Sequence, residues 1–232
     1  GIYIFNWKTL KEALLANAQQ PGLDFGKHVI PYCHDNGKPL YAYEFNGYWK
    51  DVGTLHSYWE ANMELNDIIP EFTLNEEYWK NYTKRDVIQP HYIASDAHIE
   101  RSIVGEGTEV YGDVINSVIG AGVTIAKGAG VKDSIVMQGS VIGAGTSVEK
   151  AIIAENVKVG SDVQIGVGEY APSTYDQKVY QFDLATIGEN SIIPDGVKIG
   201  KNTAIAGETT VGDYPDGLLA SGNYIIKAGG VK

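Results

Sequence analysis

Between residues 93 and 211, isoleucine or valine returns at steps of six, interrupted by occasional steps of five. The series runs through Ile93, Ile99, Val104, Val110, Ile119, Ile125, Val131, Val136, Ile142, Val148, Ile153, Val159, Ile165, Ile187, Ile193, Ile199, Ile205 and Val211. In each of the twelve six-residue steps, the fourth residue after the ladder position is small or valine: Ala97, Thr108, Val123, Ala129, Ser140, Thr146, Val157, Val163, Ser191, Val197, Thr203 and Thr209. Two independent columns predict a left-handed parallel β-helix of hexapeptide repeats. Each unit is a short strand plus a turn, and three units close a triangular coil. The ladder residues point inward and stack on the coil below, where β-branched side chains suit a pleated surface. The small column points inward near the corners. Glycine often follows the ladder residue, as at Gly105, Gly143 and Gly200, where a turn needs an unhindered backbone. The five-residue steps share a form, as in Lys132-Asp133-Ser134-Ile135 and Glu149-Lys150-Ala151-Ile152, so one face is a residue shorter. At about 4.8 Å per coil, six or seven coils stand roughly 30 Å tall.

The composition changes where this repeat begins. Residues 1–89 hold all four Trp, eight of fifteen Tyr and four of five Phe but six of 28 Gly. Such a shift marks a domain boundary, and gives residues 1–70 as an α/β segment, 71–89 as a polar linker and 90–232 as the β-helix. Residues 166–186 interrupt the repeat with Tyr170, Tyr175, Tyr180 and Phe182. A loop this long is usually functional or disordered. Its aromatics favour an ordered loop packed on a neighbour, with packing under its own aromatics the alternative.

In the first segment, residues 2–5 read as a buried strand, and Asn6 can cap a helix whose Leu10, Leu14 and Leu15 share one face. Residues 40–45 alternate like a strand, and residues 47–53 form another that ends in a turn. Thr54 then caps a helix with Leu55, Tyr58, Trp59 and Met63 on a stripe. Three short strands and two helices are too few for a doubly wound sheet, so the segment reads as an incomplete α/β unit.

Here the residues carry a resemblance. Gly1-Ile2-Tyr3-Ile4-Phe5-Asn6-Trp7, Asp24-Phe25-Gly26-Lys27 and Gly47-Tyr48-Trp49-Lys50-Asp51-Val52-Gly53-Thr54, followed by Trp59-Glu60-Ala61-Asn62-Met63, resemble the bacterial glucose-1-phosphate adenylyltransferases. The similarity continues through the hexapeptide half. The Trp-x-Asp-x-Gly-Thr element alone names only the sugar nucleotidyltransferase superfamily, and the first two motifs select the adenylyltransferases. The resemblance implies transfer of the ATP adenylyl group to glucose 1-phosphate, giving ADP-glucose and pyrophosphate for glycogen synthesis, in a cytoplasmic homo-oligomer, typically a tetramer. It implies Asp51 as the catalytic carboxylate at the Mg²⁺ and sugar-phosphate site, with Tyr3 and Trp49 lining the glucose pocket. The family's Gly-rich phosphate loop and its Glu-Lys-Pro element have no counterpart here. The chain therefore looks like a C-terminal part that lacks the nucleotide-binding half, and it is expected neither to bind ATP nor to turn over alone. Without the family, Asp51 reads as an exposed turn residue ahead of a helix cap.

Other classes are weaker. Eighteen Lys and Arg against 29 Asp and Glu give a net charge of −11, with Arg85 and Arg101 the only arginines. That balance opposes nucleic-acid and anionic-membrane binding. Cys33 is alone, which excludes an intrachain disulfide and makes a reducing compartment the default. Asp24-Phe25-Gly26 spells a kinase motif without its catalytic-loop partner, and Asn81-Tyr82-Thr83 is a glycosylation sequon of no consequence in a cytoplasmic chain. A hexapeptide acyltransferase, with His98 as its catalytic base, is the alternative enzyme reading. A purely structural assembly module is the third.

Overall fold

The computed structural model describes residues 1–19, 23–74, 77–80, 82 and 88–227. The sequon residues Asn81 and Thr83, Arg85 and part of the proposed linker lie outside them. Contacts divide the chain into two compact units, Gly1–Gly47 and Tyr48–Lys232. This division differs from the compositional edges at 70 and 90 because a helix from the aromatic-rich segment packs on the repeat.

Residues 92–226 wind into three parallel sheets of six, seven and seven strands. On the first face Ile125 pairs with Ile142, and Ile142 with Val159, a spacing of 17 residues per coil. Each coil hydrogen-bonds to the next, as in Ala126 N–H to the Ile142 carbonyl at 2.9 Å, so the backbone is satisfied without a second domain. The ladder forms the core, with Val110, Ile125, Ile142, Ile165 and Ile187 fully buried.

The ladder differs from its sequence reading at two places. Val114 belongs to it, pairing with Ile99 and Val131, but lies only four residues after Val110. Gly112 permits the short step, since a Cβ there would come 2.2 Å from the Ala129 carbonyl oxygen. Val211 does not belong to it and is 69% exposed, in a 3₁₀ turn. Leu219 and Ile225 carry the ladder onward instead. At Gly143 the reason for glycine is likewise close approach, with the Gly160 carbonyl oxygen 2.3 Å from a built Cβ.

The small column is buried from Thr108 to Thr209, with Ala97 packed against the core at the open end. Its hydroxyls are inside because they have partners. Ser140 Oγ donates to the Ala154 carbonyl at 2.8 Å and accepts from Val157 N–H at 3.0 Å. A further serine column, absent from the sequence reading, occupies the five-residue corner. There Ser134 N–H donates to Ser117 Oγ at 3.1 Å, and Ala151 N–H to Ser134 Oγ at 3.0 Å. That corner turns through left-handed residues, Arg101, Asn116, Asp133 and Lys150 stacked in successive coils, then Asn202, with Asp183 one residue out of register between them.

The helix α3 (Leu55–Glu64) starts at the Thr54 cap, which is closed by a reciprocal box with Ser57. Its stripe of Leu55, Tyr58, Trp59 and Met63 packs on a patch centred on Ile135, Ile152 and Leu184. Burial of this kind contributes on the order of 2 kcal/mol per large side chain. Trp59 Nε1–H donates to the Asp133 carbonyl at 2.7 Å, and Lys150 Nζ lies 5.6 Å from the Trp59 ring centre. Asp67, just past the helix, lies 4.0 Å from Arg101. The helix therefore runs down the prism edge, across successive coils.

The insertion 166–186 packs both on neighbours and on itself. Tyr175 meets Tyr180 at 5.9 Å and Tyr224 of the last coil at 4.7 Å. Thr174 N–H donates to the Gly222 carbonyl at 2.7 Å, and Asn202 Nδ2 to the Ala171 carbonyl at 2.8 Å.

In the first unit, Asn6 caps α1 (Trp7–Ala16), and a π-turn (Phe25–Val29) capped by Asp24 leads into α2 (Ile30–Asp35). Ala13, Val29 and Cys33 form its core, with Phe5, Leu10, Leu14 and Tyr32 around them. Leu15 is exposed, so the inward face uses Ala13 in its place. The three expected strands are absent: residues 2–5, 40–45 and 47–53 have no strand pairing among the described residues. Ile4 is 99% and Tyr41 92% exposed. An extended segment becomes a strand only beside a ladder partner, and none of the described residues pairs with these as a strand.

Candidate active site

The segment 48–54 feeds directly into α3, and alternation along extended backbone sorts its side chains. Tyr48 and Lys50 turn to the helix. Tyr48 Oη donates to Glu64 Oε2 at 2.6 Å, and Lys50 Nζ donates to Glu64 Oε1 and lies 3.4 Å from Glu60 Oε2. Glu60 and Glu64 are one helical turn apart, so a single ammonium reaches both. The Lys50 hydrogen bond, then the Tyr48 hydroxyl, hold the Glu64 carboxyl below the usual carboxylate range. In return Glu64 raises the Lys50 ammonium, and its hydrogen bond raises the Tyr48 phenol. These anchoring residues escaped the sequence reading, although the Glu60/Glu64 spacing and their alternation with the motif were a usable signal.

Trp49 and Asp51, between and beyond the anchors, are left exposed. Asp51 Oδ1 accepts Gly53 N–H at 3.0 Å, closing a turn just before the Thr54 cap. Both sequence-chosen residues of this stretch are thus presented outward at the head of a helix, on a segment fixed by two carboxylates. Tyr3 belongs to the first unit, where it stacks on Phe25 at 5.8 Å; it is half exposed.

The described residues do not by themselves build a divalent-cation site. No group of three or more His, Cys, Asp or Glu side chains converges among them. Asp51 brings one carboxylate, of which one oxygen already accepts a backbone N–H, whereas a hard cation needs about six oxygen ligands. His98 is exposed on the prism, 3.6 Å from Glu100. A cleft of about 300 Å³ at the root of the insertion is lined by residues including Glu149, Lys150, Asp183 and Lys201, and not by His98. No helix among the described residues is long and apolar enough to cross a membrane.

A sequence model described as nucleotidyl transferase matches residues 1–68, and one described as GlmU-like, C-terminal hexapeptide, matches residues 87–181. The three-faced solenoid fits the left-handed β-helix of that hexapeptide class. The glucose-1-phosphate adenylyltransferase of Lachnospira eligens is 62% identical over 229 residues, 99% of this chain. The chain is homologous to the glucose-1-phosphate adenylyltransferases over nearly its whole length. The enzyme of that name from Acetivibrio thermocellus is 44% identical over 99% of the chain, and that of Thermotoga maritima 47% over 97%. The chain spans 54% of the length of each of these relatives and corresponds to their C-terminal part. Its nucleotidyl transferase match is accordingly partial, and the hexapeptide prism is the larger share of what it holds.

Proposed function

We propose that this chain is the sugar-phosphate-facing segment and β-helix of a glucose-1-phosphate adenylyltransferase. The reaction is in-line attack of the glucose 1-phosphate oxygen on the α-phosphorus of ATP. The new P–O bond makes ADP-glucose, and the bond to the β-phosphate breaks to release pyrophosphate. Catalysis of this kind is mostly positioning and charge neutralisation. The observation that carries the reading is the anchored segment 48–54, which directs Trp49 and Asp51 away from α3 while Lys50 and Tyr48 hold it there. Trp49 would stack on the sugar, and Asp51 would meet the sugar-phosphate end. Magnesium enters the proposal through that one carboxylate only; its other ligands would have to come from beyond these residues, and no step is assigned to it. Assembly into a homo-oligomer through the prism belongs to the same reading, supported by the outward apolar residues Ile103, Val141 and Ile192, with the mass in solution by light scattering as its check.

The test joins this chain to the N-terminal half of the Lachnospira eligens relative and measures ADP-glucose formation. The joined enzyme is expected to turn over and the chain alone not to. Asp51→Asn should lower kcat/KM by on the order of a hundredfold; equal activity would remove Asp51 from the site.

A further inference from the structure

The insertion 166–186 ends on the helix that begins at the candidate site. Phe182 lies face to face with the His56 ring, centroids 3.9 Å apart and planes 17° off parallel. His56 is in the first turn of α3, two residues after the Thr54 cap. Its Nε2 lies 3.1 Å from Glu60 Oε1, while Glu60 Oε2 lies 3.4 Å from Lys50 Nζ. An unbroken line of contacts thus runs from the insertion through His56 and Glu60 to Lys50, the residue between Trp49 and Asp51. Leu184, two residues past Phe182, is buried in the patch against which Leu55 packs.

The backbone at this point is costly to hold. Phe182 and Asp183 have φ of 63° and 64°, a left-handed conformation that is unfavourable for an L-residue. Phe182 also stays 46% exposed, so it is not a core side chain, and the contact its ring does make is with His56. Strained residues of this kind persist where surrounding contacts over-determine them, and they cluster at sites of function. Here the strained pair delivers one ring onto one helical turn.

We propose that Phe182 is a positioning residue: by stacking on His56 it fixes the first turn of α3, and through Glu60 and Lys50 it sets where Trp49 and Asp51 stand. The β-helix insertion thereby controls how the segment 48–54 meets its ligand. The kinetic consequence rests on the proposed sugar-phosphate role of that segment; the structural consequence does not.

Two arms separate them. In the chain itself, Phe182→Ala should speed amide hydrogen exchange across 48–57 by about tenfold or more, while the core around Ile142 is unchanged. Phe182→Tyr, which keeps the ring, should restore protection. Unchanged exchange at 48–57, an equal rise throughout the prism, or no rescue by tyrosine each overturns the clasp. In the joined enzyme, Phe182→Ala should raise KM for glucose 1-phosphate on the order of tenfold, leaving KM for ATP within about twofold. Mere loss of folded protein would lower kcat and leave both KM values alone, and that result overturns the positioning role. If Asp51→Asn is fully active while the exchange difference stands, the site assignment has failed and the clasp has not.

Discussion

The prism and the first unit contrast in how they close. In the prism, 24 buried residues form one continuous core, and each interior strand finds its neighbours in the same chain, from 15 residues away at His98 and Asp113 to 34 across the insertion at Ala151 and Ala185. Among the described residues of Gly1–Gly47 the buried core is three residues, Ala13, Val29 and Cys33, and apolar side chains such as Ile2, Ile4 and Tyr41 stand in solvent. The residue types are not the difference, because residues 2–5 are as strand-prone as any ladder position. What differs is the presence of a partner: a stacked repeat makes its own, whereas an isolated extended segment depends on a sheet elsewhere.

That contrast can be broken at four levels. The largest effect is expected from Ile142→Asp, which puts a charge at a fully buried ladder position. It should cost more than about 4 kcal/mol and abolish the cooperative thermal transition of the prism by circular dichroism; a normal transition would overturn the inward assignment. Val29→Ala should come next, at about 1–2 kcal/mol. Its effect should stay within the first unit, seen as faster thiol labelling of the buried Cys33 with an unshifted prism transition. Coupled loss of both would mean the units are one cooperative body.

A subtler test is pH. Asp213 accepts from Thr210 N–H at 2.6 Å and lies 2.5 Å from Lys227 Nζ. Lys227, ahead of those backbone and hydroxyl bonds, pulls its carboxyl from 3.8 down to about 2. A folded pKa below the unfolded one stabilises the ionised form, so this contribution is complete above pH 4 and lost as pH falls towards 2. Wild type and Asp213→Asn should therefore differ in urea midpoint at pH 6 and converge near pH 2. Smallest of all, Lys132→Ala removes an exposed lysine 3.4 Å from Glu149, and should shift stability by less than about 0.5 kcal/mol.

How much could be read beforehand follows the same divide. The ladder and its small column were legible because one physical demand, an inward β-branched side chain, recurs at a fixed interval. Val114 was missed because a four-residue step broke that interval, and Val211 was misplaced because a 3₁₀ turn takes over at the end of the repeat. Helix α3 was legible from its cap and stripe. Residues 2–5 and 40–45 show the opposite case, since local alternation speaks of propensity and says nothing about a partner. At the candidate site, Trp49 and Asp51 came from a motif, while Lys50, Glu60 and Glu64 emerge only when the segment is seen lying along the helix. The contact of Phe182 with His56, 126 residues apart in the chain, has no local signal at all.

Helix α3 lies along the prism edge, and its rise and the coil spacing are both fixed. The helix advances about 1.5 Å per residue, the prism about 4.8 Å per coil. His56 meets Phe182 near one end and Asp67 meets Arg101 beyond the other, four coils away along the corner column. The helix is in effect a gauge for the rod. A homologue could gain or lose 17 residues beyond either mark and keep a sound stack, but one coil added between them would part the two ends by just over three residues of helix. Length variation in this chain should therefore come in whole coils, and only outside the stretch that the helix measures.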